Sequence, residues 1–110
     1  MKTILTAAGA RVEPKLAECI QETVDFATWN EGAAQGIAFV ELARIVRDDP
    51  TTRCVIRAVL EDVGPIVVGA TGADAWEAVQ RSGEQLESAF IARLNRAPSG
   101  VAAFAAARAH

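Results

Sequence analysis

Glu41 is the residue whose surroundings come nearest to implying chemistry. It interrupts an apolar run, with Ile37-Ala38-Phe39-Val40 before it and Leu42-Ala43 and Ile45-Val46 after it. A carboxylate enclosed by hydrocarbon can act as a general acid or base. Arg44, three residues on, is its basic neighbour at helical pairing distance, so Glu41 and Arg44 form a candidate buried carboxylate with its partner. Arg47 lies too far round a helix to join them. The competing reading is a solvated Glu41 on a narrow polar strip that Arg44 and Asp48 extend.

Other groupings carry less. Glu18, Glu22 and Asp25 share one face of a helical pattern, as carboxylates do in two-metal helical bundles, but those sites also use a Glu-x-x-His pair. The only histidine is the last residue, His110, which removes the di-iron, haem and zinc versions of that architecture. It also leaves Ser82, Ser88 and Ser99 without a base to activate them. Gly64, Gly69 and Gly72 precede a helix start, where phosphates often bind, yet the spacing fits neither the P-loop nor the dinucleotide fingerprint, and the lysine is missing. Cys19 and Cys54 match no zinc or redox spacing and read as small buried apolar groups. No catalytic constellation, cofactor motif or metal-ligand set can be assigned, and the expectation is a protein that is not an enzyme.

Totals narrow the partners. The chain has 110 residues, a net charge of -3, 51% hydrophobic and 5% aromatic residues. The acidic balance argues against nucleic acid or an anionic membrane, and no stretch approaches the roughly 20 apolar residues that span a bilayer. The start, Met1 to Ala10, has a charge and small residues like a secretion signal, but Thr6 breaks a short apolar core. The expected location is the cytoplasm of a bacterial cell.

The elements that must position these residues read as helices. Glu13-Pro14 is a start signal, and Leu16, Ile20, Val24 and Ala27 follow at helical spacing, predicting a helix over 14–29. The run around Glu41 predicts a second helix over 31–48, apolar nearly all round and so central. Asp49-Pro50 opens a third over 50–63, with Val55, Ile56, Val59, Leu60 and Val63 as its stripe. Residues 65–72 could be a strand, but with no partner except Thr3-Ile4-Leu5 they are predicted to be a buried turn of helix or an apolar connector. A fourth helix begins near Asp74, with Glu77 as a capping-box residue. Its seam of Trp76, Val79, Gly83, Leu86, Phe90 and Leu94 is coiled-coil-like, narrowest at Gly83.

The expected fold is therefore all-α: one domain over 1–110, a compact bundle or orthogonal array of four main helices. It has an N-terminal arm (1–12), a helical core (13–97) and a loosely attached Ala-rich tail (98–110). The expected function is a non-enzymatic protein–protein interaction module, such as an adaptor, inhibitor, immunity or assembly protein. It would present an apolar helical surface and self-associate as a homodimer or larger. Trp29, Trp76, Leu86, Phe90, Leu94 and Phe104 are the candidate interface. The alternatives are a small-molecule binder or enzyme built on Glu41 with Arg44 or Arg57, and a ring-forming component of a virion or secretion apparatus.

Overall fold

The computed structural model describes residues 2–8, 12–28, 36–45, 51–60 and 63–96. Its elements run β1 (Lys2–Ala8), α1 (Pro14–Ala27), β2 (Gly36–Ile45), β3 (Thr51–Leu60), β4 (Gly64–Gly72) and α2 (Ala75–Arg96). The four strands form one sheet in the order β1-β2-β3-β4. β1 is parallel to β2, with α1 as the crossover, while β2-β3-β4 is an antiparallel meander. This is an α/β fold, and the expectation of an all-α bundle is wrong. The segments predicted as the second and third helices are the central strands, and the predicted connector is β4.

Alternation sets the layers. Ala38, Val40 and Leu42 of β2, Cys54, Ile56, Ala58 and Leu60 of β3, and Ile66 of β4 point to one face and are buried. Both helices lie on that face, giving Leu16, Ile20, Val24 and Ala27 from α1 and Ala78, Val79, Leu86 and Phe90 from α2. Successive side chains of a strand point to opposite faces, so the intervening residues look away from the helices.

Local chemistry fixes the ends. Pro14 opens α1 at its first turn, where no N–H is needed. At the start of α2, Asp74 Oδ1 accepts a hydrogen bond from the Glu77 N–H at 2.9 Å, a side-chain cap of the kind the Asp74/Glu77 spacing predicts. The β3–β4 hairpin closes at the pair Leu60–Gly64. Gly64 has φ 86°, a conformation that side chains with a Cβ resist.

A buried hydrogen bond ties α2 to the sheet. The Ser82 hydroxyl, fully buried, donates to the Cys54 carbonyl at 3.1 Å. Burial pushes the Cys54 thiol above its ordinary range, and the Ser82 hydroxyl partly opposes this. The neutral thiol is thus favoured in the folded chain. Its contribution to stability is present below the unfolded thiol's pKa of about 8.5 and is lost as pH rises through the raised folded value. Alkylation followed by mass spectrometry should label half-buried Cys19 well before Cys54, and chemical-denaturation midpoints should fall above about pH 8.5. Equal labelling rates would contradict the buried placement.

Candidate interaction surface

The strand face turned from the helices carries nothing over it among the described residues. The register aligns its side chains in rows that cross the whole sheet. Ile4, Phe39, Arg57 and Val67 form one row, and Lys2, Ile37, Val59 and Pro65 form the next. On the other side lie Thr6, Glu41, Val55 and Gly69, then Ala8, Ala43, Arg53 and Thr71. Large apolar groups are left in water here: Ile4 is 39% exposed, Phe39 38%, Val59 44% and Val67 60%. A contiguous apolar patch on a folded domain usually marks an interaction site.

Charge is segregated between the two faces. Among the described residues, the open face holds Lys2, Arg53 and Arg57 against Glu41, all exposed. Among the described residues, the helix side carries Glu18, Glu22, Asp25, Glu77, Glu84 and Glu87 against Lys15, Arg44, Arg81 and Arg93. Glu41 pairs in register with Val55, which places Arg53 and Arg57 on its two diagonals, within reach of long side chains across a sheet. The net charge of the chain hides this arrangement.

The sequence-predicted residues fall differently. Glu41 is exposed on the open face, so the buried carboxylate is not formed. Arg44, an odd number of residues away on the same strand, projects to the opposite face, and the helical pairing of the two is lost. Leu86 and Phe90 are core residues, 0% and 5% exposed, and Leu94 packs against that core, so these three are not a free surface. Trp76 is exposed, while Trp29 and Phe104 lie outside the described residues. Phe39, Arg53 and Val67 were missed, and Arg57, an alternative partner for Glu41 in the helical reading, reaches it only across the sheet. Their signal was the alternation Arg53-Val55-Arg57-Val59, charged and apolar on one strand face, which a helical reading of 50–63 conceals.

A second feature adjoins β4. A groove of about 730 Å³ runs between that strand and α2, lined by Val68, Ala70 and Thr71 on one side and Arg81, Glu84, Gln85 and Ser88 on the other. Arg81 is held there by Glu77 at 2.9 Å and donates to the Thr71 carbonyl at 3.0 Å. The groove is open and holds no nucleophile paired with a base. No group of three or more His, Cys, Asp or Glu is placed to hold a metal among the described residues, and no described helix is long and apolar enough to cross a membrane.

A β-α-β-β-β-α chain with both helices on one face of a four-stranded sheet is a small α/β domain of a kind seen in solved structures. The N-terminal domain of Protein Y from Thermus thermophilus superposes with a TM-score of 0.70 at 18% identity, covering 82% of this chain and 96% of that one. A ribosomal subunit interface protein from Coxiella burnetii gives a TM-score of 0.68 at 14% identity, covering 82% and 93%. At these identities the likeness is one of fold. No family model matches the chain, and no curated protein matches it.

Proposed function

We propose that this chain is a non-enzymatic docking module that binds a macromolecular partner with the open face of its sheet. The observation that carries the reading is the row Ile4–Phe39–Arg57–Val67, which crosses all four strands and is exposed along its length. Aromatic and arginine side chains in such a patch are the types that dominate binding energy at interfaces. The chain's chemistry supports a binding role: its single histidine is terminal and no other catalytic grouping is present in its sequence.

The ribosome is the partner that the fold favours, since one structure of this architecture is described as a ribosomal subunit interface protein. The acidic total stands against a phosphate-rich partner, but the distribution of charge supports one. A docking face is felt at short range, because salt screens exposed charges beyond about 8 Å, and the open face has Lys2, Arg53 and Arg57 around its apolar row. A protein partner, or a second copy, is the competing occupant.

Sedimentation with purified ribosomal subunits distinguishes them. The wild-type chain is expected to pellet with subunits at low salt and to release as salt rises, and Arg53→Glu with Arg57→Glu to stay in the supernatant. If the wild-type chain stays in the supernatant at low salt, the ribosomal reading fails. Against whichever partner binds, Phe39→Ala should weaken affinity by about 30-fold, as for a central interface aromatic. Unchanged affinity for both Phe39→Ala and Arg57→Glu would end the open-face reading altogether.

A further inference from the structure

We infer that the free edge of β4 is a self-pairing site, and that its occupant is the β4 edge of a second copy in one defined antiparallel register. The site is built from the strand's backbone and is independent of what the open face binds.

In an antiparallel ladder the N–H and C=O of one residue point to the same side, and successive residues alternate. The Arg81 guanidinium donates to the Thr71 carbonyl from α2, so Thr71 presents its backbone groups away from β3. The register between β3 and β4 is regular from Thr52–Gly72 to Leu60–Gly64, and therefore Pro65, Val67 and Gly69 present theirs outward as well. Pro65 agrees with this independently, because a proline within a sheet is found where its missing N–H faces off the edge. Val67, Gly69 and Thr71 thus offer N–H groups to the edge, and Pro65, Val67 and Gly69 offer carbonyls. β4 is the last strand in the sheet order, and no described strand meets these groups.

Gly69 is a second observation. A Cβ there would meet the Cys54 carbonyl at 3.4 Å and a Val55 methyl at 3.5 Å, which is ordinary contact, and no left-handed φ requires a glycine. A glycine inside a strand weakens it and often marks close approach of another backbone. Nothing within the described chain makes that approach.

One two-fold register satisfies the edge completely. With the axis at Val68, Val67 faces Gly69 of the second copy, Gly69 faces its Val67, and Pro65 faces its Thr71. The N–H groups of Val67, Gly69 and Thr71 then donate to the carbonyls of Gly69, Val67 and Pro65 across the axis, each bond occurring twice. The one donor that is missing, at Pro65, faces the one carbonyl already satisfied, that of Thr71 held by Arg81. A register centred on Gly69 would instead aim the Val67 N–H at that occupied carbonyl. One centred on Val67 would leave a Gly69 carbonyl facing Pro65 without a donor. The self-complementary pattern selects a second copy over an unrelated strand. The product is an isologous dimer with one continuous sheet.

Sedimentation velocity of the full chain over a concentration series, with amide exchange by NMR at both ends of the series, tests this. A concentration-dependent dimer is expected, with the amides of Val67, Gly69 and Thr71 protected only where it is populated. Val67→Pro removes an outward N–H without touching the β3 ladder and should weaken association by about 100-fold. Gly69→Lys, which places a charge at the pairing edge, should do the same. The Trp76 fluorescence and thermal midpoint of each variant report whether it has folded. A wild-type chain that stays monomeric, amides protected in the monomer, or a dimer unaffected by both folded variants would each overturn the inference.

Discussion

Gly72→Val is expected to remove most of the folding stability of the chain. A Cβ built on Gly72 falls 2.6 Å from the Ala78 amide nitrogen and 2.8 Å from the Glu77 Cβ, and neither atom is the end of a side chain that could swing away. The end of β4 and the first turn of α2 are joined through residues 73 and 74, so separating them pulls the helix from the sheet. It would also strain the Asp74 cap and the Arg81 bond to Thr71. Overpacking of a core costs about 1–3 kcal/mol where side chains can adjust, and here backbone must move. A penalty of roughly 4 kcal/mol is most of the stability of a marginal domain. Urea denaturation read by far-UV circular dichroism measures it, and a midpoint near wild type would show that the β4–α2 junction is looser than described. Gly64→Ala is the useful contrast, since nothing lies within 4 Å of its Cβ and only the left-handed φ is at stake, about 1 kcal/mol.

Leu86→Ala and Phe39→Ala should separate stability from binding. Leu86 of α2 is completely buried in the core, and truncating such a leucine costs about 2–5 kcal/mol through lost transfer energy and the cavity left behind. Phe39 is 38% exposed on the uncovered face, and its removal should change stability by less than about 1 kcal/mol while weakening partner binding. Denaturation and binding measured on the same two proteins give opposite rankings. If Leu86→Ala is as stable as wild type, the arrangement of α2 on the sheet is wrong.

The two helices were legible in the sequence and the sheet was not, for reasons visible in particular residues. α1 has Leu16, Ile20, Val24 and Ala27 on one face with Pro14 at its start, and α2 has its cap and a seam of buried residues, so a period of three to four is unmistakable. β2 defeats the same approach. Its inward Ala38, Val40 and Leu42 alternate with outward Ile37, Phe39 and Ala43, which are also apolar because the open face is apolar, and the period of two disappears. An uninterrupted apolar run fits a buried helix or a strand equally well. In β3, Val55, Ile56, Val59 and Leu60 happen to satisfy helical spacing while belonging to opposite faces. The abundance of β-branched residues in 51–59 was the available counter-signal. Once β2 and β3 are taken as helices, β4 has no partner and must be read as a connector. The site was lost with them, because Arg57, Phe39, Ile4 and Val67 come from four separate segments and meet only through the register. The exposed apolar surface of the structure lies on strands.

Gly83 gives the crossing of α1 and α2 a consequence for how this sequence can vary. A Cβ on Gly83 would run into the Thr23 methyl, and its next neighbour is the Thr23 Cβ at 3.8 Å. The obstruction is thus a single methyl on the opposing helix. Positions 23 and 83, sixty residues apart in the chain, share one small volume. An alanine at 83 becomes admissible when 23 is serine or alanine, and a bulkier residue at 23 is admissible only over glycine. In a lineage descended from this sequence the two positions are expected to change together, smaller against larger. Their joint history would record the contact between the helices even where every other residue of the seam had drifted.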